Sequence, residues 1–373
     1  MNTLSTENLD KMKAIRYISY LFLALLVLAS CQEDPPTVDD HFLNYEIPDV
    51  PPDADYTVGA HYSSFEWSAN LTEIPSAGQY DALNGDPAVY AQHIVWAGEA
   101  GIDFFVFNMR SGAMDPGYFS TDSAFVATLH TASGASNMSY ALAYTFDFPG
   151  GYGEELSETN PIESTDYVDN GIIADFQKML PFFQESNYMK VNGAAVVYIR
   201  SAHELFATDN AALYDQIRAA VGVDLYLIGE QNNWSPPMRY DFRFEDGVDA
   251  VTHMTYAQIG AGQYDRYIMF GVYTDQAWTF SRDELAKINL EYIPQISPSY
   301  NAQINDPANT SMVITKNQEW FTVVCNVAKR ASSPSRIILL DSFNTWNFDK
   351  QVEPAQSYGK AYLEILREQF KVN

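Results

Sequence analysis

The chain has 373 residues, 47% hydrophobic and 18% charged, which is enough apolar material for a large core and too much for a disordered chain. Its 48 acidic and 21 basic residues give a formal charge of −27, a surface that repels phosphate backbones and argues against nucleic acid as a partner. Two cysteines, six scattered histidines and no CxxC or HExxH spacing argue against a transition-metal site, and no motif calls for a cofactor.

The first predicted element is a secretory signal over residues 1–31. Lys11, Lys13 and Arg16 precede a short apolar run, 20–28, too short for a comfortable membrane span. The run ends in Leu28-Ala29-Ser30-Cys31, which resembles a bacterial lipobox and makes Cys31 the expected lipidation site and membrane anchor. If Cys31 is lipidated, Cys325 has no partner for an intrachain disulfide and reads as a small buried hydrophobe. Residues 32–55, rich in Pro, Asp and Glu, read as a tether. The segment Gln32-Glu33-Asp34 with Asp39-Asp40 resembles the acidic tethers that send Bacteroidota lipoproteins to the cell surface, and the resemblance implies an outer-membrane, surface-exposed protein.

Residues 56–373 read as one domain in which apolar β-forming runs alternate with helical patterns. The strands are TVGAHYSSF from Thr57, IDFFVFN from Ile102, SYALAYTF from Ser139, GAAVVYI from Gly193, VDLYLIG from Val223, VDAVTHM from Val248, YIPQIS from Tyr292 and RIILLDS from Arg336. Helical spacing is predicted over 87–100, 174–184, 210–220, 320–330 and 357–370. Near-continuous apolar strands separated by helices imply a parallel sheet covered on both faces, and eight such units predict a closed (β/α)8 TIM barrel. An open doubly wound sheet is the competitor, but no glycine-rich phosphate loop follows the first strand.

Active sites of such barrels lie at the C-terminal strand ends. Those ends carry Glu66 and Trp67, Asn108 and Arg110, Asp147, Arg200 and His203, Glu230 with Asn233 and Trp234, His253 and Tyr256, Tyr300, and Asp341 with Asn344 and Trp346. Carboxylates and amides can take hydroxyls while aromatic faces cover sugar rings, so a poly- or oligosaccharide is the expected ligand. Each residue also has a plainer reading: polar groups cap strands and helices in every barrel, and His253 could be a satisfied core histidine. Glu230 is the foremost candidate, because a carboxyl delivered by a buried strand should have its pKa raised and serve as proton donor. Glycosidic hydrolysis commonly pairs two carboxyls, and Asp147, Asp341 and Glu66 are the possible partners of Glu230. If Arg110 and Arg200 converge, an acidic or sulfated glycan is favoured.

Residues 56–371 carry a resemblance in the order of their motifs. His61-Tyr62-Ser63 to Trp67, His93 followed by Ala100-Gly101-Ile102-Asp103-Phe104, Tyr188-Met189-Lys190-Val191-Asn192-Gly193, Pro294-Gln295-Ile296-Ser297-Pro298, and Ser342-Phe343-Asn344-Thr345-Trp346 with Gln351-Val352-Glu353-Pro354 resemble family 99-like glycoside hydrolases. The related family 71 and WbsX-type domains share the likeness. It implies a (β/α)8 barrel acting on glycans. In family 99 two glutamates of an N-E-W-H-E signature do the chemistry; here those positions hold Thr345 and Phe348, neither able to exchange protons at neutral pH. Only Asn344, Trp346 and Glu353 carry over, as subsite or loop-shaping residues. Two readings follow: a divergent glycoside hydrolase with relocated carboxyls, Glu230 with Asp147 or Asp341, or a catalytically inactive glycan-binding surface lipoprotein. A glycosyltransferase is suggested only by the name given to some WbsX-type relatives.

Overall fold

A computed structural model describes residues 46–231, 241–254, 271–311 and 313–372. The chain divides into the units Met1–Glu46 and Ile47–Asn373, and every element below belongs to the second. Part of the predicted tether goes with it: the Val50 amide donates to Asn326 Oδ1 at 2.9 Å, and Asp53 pairs with Arg336 at 2.8 Å. Among the described residues no helix is long and apolar enough to cross a membrane.

The parallel strands are β1 (Thr57–Tyr62), β2 (Phe104–Arg110), β3 (Ser139–Thr145), β5 (Ala194–Arg200), β6 (Leu225–Gln231), β7 (Ala250–His253), β8 (Glu291–Tyr292), β9 (Gln295–Ile296) and β10 (Ile337–Leu340). A short β4 (Lys190–Val191) pairs antiparallel with β5. The hydrogen-bonded order runs β8-β7-β6-β5-β3-β2-β1-β10-β9. Its two ends are halves of one segment: β8 pairs with β7, and β9, three residues on, pairs with β10. Pro294, which has no N–H to give a ladder, separates the halves. The segment 291–296 is thus the seventh of eight barrel strands and closes the ring, as the sequence predicts.

Around the sheet stand α1 (Pro87–Ala100), α2 (Pro116–Leu129), α3 (Ala174–Phe183), α4 (Asn210–Val221), α5 (Gly271–Lys287), α6 (Gln318–Ala331) and α7 (Ala361–Phe370). The cap of α1 explains its bounds. Asp86 accepts from the amides of Ala88 and Val89, Pro87 fills the first turn where no N–H is needed, and Gly101 ends the helix at φ 74°.

Strand alternation sorts the side chains into two cores. Phe104, Val106, Ala141, Ala143, Val196, Tyr198, Ile228 and Leu339 fill the barrel, while Phe105, Phe107, Tyr144 and Leu227 face the helices. Continuing the inward set by twos toward the C-terminal ends gives Asn108, Thr145, Arg200, Glu230 and Asp341. Counting back from Ile293 and forward gives Gln295. Apolar filling therefore stops at one level of the lumen and polar filling begins.

Candidate active site

Glu230 sits at that level, 1% exposed. Gly229 before it faces outward, where a Cβ would come within 2.9 Å of the Phe244 ring, so the strand can lie close to its covering loop only with glycine there. Both carboxyl oxygens of Glu230 are acceptors: the Tyr198 hydroxyl donates to Oε1, and the Ser201 amide donates to Oε2 at 2.9 Å. Tyr198 also lies 3.4 Å from Gln295 Oε1, which accepts from His61 Nε2 at 3.0 Å. The Gln295 amide is oriented by donating from Nε2 to the His253 carbonyl at 3.0 Å. With the proton on His61 Nε2, its Nδ1 is left to accept from Arg200 at 3.5 Å. Burial, reinforced by the Arg200 charge, pushes the His61 pKa down to about 4, so the ring is neutral at neutral pH.

Arg200 is half-buried, close enough for Glu230, Tyr198 and Asp341 to hold its charge against burial. Asp341 is tied to Lys350 at 2.5 Å. Asp147, half-buried two residues beyond β3, has its carboxyl facing the Ser201 side chain. Burial raises its pKa, with Glu204 and Glu154 adding to the effect and Ser201 and His203 opposing it. Ser201 therefore stands between two carboxyls, its backbone N–H on Glu230 and its side chain toward Asp147. It does so in the left-handed region, φ 53°, unusual for a residue with a Cβ.

Two donors therefore meet the Glu230 carboxyl, while burial raises the pKa of Asp147. His203 borders both, with Nδ1 3.2 Å from the Glu230 carbonyl and Nε2 3.1 Å from Glu204. Asn108 stands at the rim and accepts from Thr145 at 2.5 Å.

Other predicted ligand-binding residues are used inside the protein. Arg110 turns to α2, where it grips Asp122 at 2.7 Å and covers Tyr118, so it does not converge with Arg200. His253 faces outward against Trp278 and Tyr292, satisfied at both nitrogens by Met254 and Gln295. Trp346 is 1% exposed and donates to Glu353 at 2.7 Å. The fully buried Asn344 amide pairs with both backbone groups of Ser63, at 2.7 and 3.0 Å. Tyr300 stacks on Phe348 beneath the loop after β10. Trp67 packs on Tyr80 and Trp346, and the Glu66 side chain is exposed while its carbonyl accepts from Asn347. Asn233, Trp234, Tyr256 and Cys31 lie outside the described residues.

Tyr198, His61, Gln295 and Ser201 were missed as site residues. The first three were findable: each falls two positions before or after an inward residue already in view. Among the described residues no cluster of three or more metal-ligating side chains occurs.

Residues 157–366, more than half the chain, match the family model described as glycosyltransferase WbsX. A solved structure described as a glycoside hydrolase-like protein is 36% identical, covers 90% of this chain and 99% of its own, and superposes with a TM-score of 0.80. A family 99 endo-α-mannosidase from Bacteroides thetaiotaomicron is 15% identical over 85% of this chain and 96% of its own, TM-score 0.60. A family 26 endo-β-1,4-mannanase from a Bacillus species is 12% identical over 85% and 87%, TM-score 0.50. No curated protein sequence matches. By the family model and the relative at 36% identity, this chain belongs to the WbsX family, on a (β/α)8 barrel of the kind seen in family 99 glycoside hydrolases.

Proposed function

We propose that the barrel hydrolyses glycosidic bonds of a poly- or oligosaccharide, with Asp147 as proton donor and Glu230 as the carboxylate that attacks the sugar or activates water. One observation supports the reading: Ser201, just past β5, stands between carboxyls that come from the strands on either side, its backbone N–H on Glu230 and its side chain toward Asp147, whose pKa burial raises. Two carboxyls flanking the scissile bond are the usual acid/base assignment in glycoside hydrolysis, and the raised pKa of Asp147 suits it to the donor's part. Asp341, clamped by Lys350, joins Glu230 in holding Arg200 and would stabilise positive charge developing on the sugar ring. The description of the 36% identical relative supports hydrolysis over transfer. Thr345 hydrogen-bonds Ser63 at 2.8 Å and Phe348 stacks on Tyr300, so neither supplies an acid at the signature positions.

We also propose that the protein is anchored at the outer membrane through Cys31, on the strength of the lipobox-like segment alone. The catalytic reading is tested by screening the purified protein against plant, fungal and marine polysaccharides for released reducing ends. Asp147→Asn should lower release roughly 10²–10⁴-fold while polysaccharide binding persists. Release unchanged by the substitution removes Asp147 from the chemistry.

A further inference from the structure

Three successive βα loops line an open cleft of about 530 Å³. Ser157, Glu158 and Thr159 come from the loop after β3, Glu204 and Phe206 from the loop after β5, and Phe242 and Arg243 from the loop after β6. The volume falls in the range of small-molecule sites, about 300–1,000 Å³. The lining is unusual for a loop surface. Phe242 is 62% exposed, a large apolar face turned to solvent. Arg243, itself buried, lies 4.2 Å from the centre of the Phe206 ring and 5.1 Å from that of Phe242, so the three side chains stack side by side. Around this platform stand two hydroxyls and two carboxylates. That mix fits a hydroxyl-bearing ring with one apolar face: aromatic carbon beneath, acceptors for hydroxyls at the edge.

A chain of side-chain contacts links the cleft to the site. Glu204 in its wall lies 3.1 Å from His203, which lies 3.2 Å from the Glu230 carbonyl, and Glu204 also acts on the Asp147 carboxyl. Glu158 and Glu204 outnumber Arg243, whose charge is spread over two rings, so a carboxylated or sulfated sugar would be repelled.

We infer that this cleft is a distal subsite for an uncharged sugar residue of the substrate, with Phe242 as its platform and Arg243 as the residue that positions it. The inference rests on the glycan reading above and adds two properties: the substrate is a chain reaching beyond the carboxyl pair, and it is neutral at this position.

The test compares the wild-type protein with Phe242→Ala, Phe242→Trp and Glu230→Gln by retardation in native gels containing neutral polysaccharides (yeast α-mannan, galactomannan, xylan) or the polyanion alginate. Wild type and Glu230→Gln should be retarded by a neutral polymer, Phe242→Ala about tenfold less, and Phe242→Trp as wild type. Because Phe242 is mostly exposed, its removal leaves the fold intact, which circular dichroism checks. Retardation of Phe242→Ala equal to wild type overturns the subsite while leaving the glycan reading in place, and retardation by alginate alone overturns its neutrality. No retardation of any variant by any polymer overturns the glycan reading and the subsite with it.

Discussion

At the scale of single residues, the site turns on which carboxyl carries the proton. Ser201 touches both Glu230 and Asp147, and burial with like charges raises the pKa of Asp147. The pH dependence then has a defined sign. Activity should fall as pH rises through the raised pKa of Asp147, and Asp147→Asn should erase that alkaline limb; an alkaline limb kept by the variant would assign the proton to another group. Tyr198→Phe removes the hydroxyl on Glu230 and its contact with Gln295, so turnover should drop about tenfold or more, with a loss of about 1–3 kcal/mol in stability from the buried acceptor left unpaired. Kinetics within twofold of wild type would show that the hydroxyl does not orient Glu230. Glu230 was legible in the sequence because a buried strand and Gly229 deliver it. Its hydrogen-bond partners were not, because they come from β5 and from the turn after it.

At the scale of elements, a buried polar network holds the loop after β10. Glu353, fully buried, accepts from Trp346 Nε1 at 2.7 Å, Tyr80 at 2.9 Å and His93 Nε2 at 3.1 Å, while Tyr62 lies 2.9 Å from His93 Nδ1. The network ties the loop to β1 and α1, and Asn344 adds a second tie at Ser63. Replacing Glu353 by Ala would strand three buried polar groups and should cost about 3–5 kcal/mol, seen as a fall in Tm. An unchanged Tm would mean that the loop is held by packing alone. The eight strands were readable because each is a continuous apolar run. Two helices were not. α2 carries Gly117, Ser120, Thr121, Ser123 and Thr128 in place of an apolar stripe, and α5 is polar over most of its length. The Asp115-Pro116 cap was the remaining signal for α2. Trp346, Asn344 and His253 could be read from sequence either as ligand-facing or as structural, because polar and aromatic residues at strand ends look alike whether they turn inward or toward solvent. Only the fold of the loops decides.

At the scale of the whole molecule, barrel closure depends on a segment that Pro294 splits in two, and the polar level of the lumen depends on side chains from nearly every strand. Two of the buried groups there and behind it make stability depend on pH. His61 and His253 are each pushed down to about 4, chiefly by burial, against about 6.5 in an unfolded chain. Between those values the unfolded chain binds more protons than the folded one, so stability is full above pH 6.5 and is lost as pH falls toward 4. The full shift is worth on the order of 3 kcal/mol for each ring, with Asp147 working in the opposite direction. Calorimetry should find Tm falling from pH 6.5 to 4.5, with a smaller fall in His253→Gln; a flat profile would mean that both rings protonate without cost. The barrel was legible from periodicity, while the pairing of carboxyls required three dimensions. The central claim is hydrolysis by that pair in a family named for glycosyl transfer. It is tested most directly by digesting a bound polysaccharide in heavy-oxygen water and weighing the products by mass spectrometry. Hydrolysis predicts one heavy oxygen at each new reducing end with the wild-type protein and no products with Glu230→Gln. Unlabelled products, or labelled products undiminished in Glu230→Gln, would contradict it.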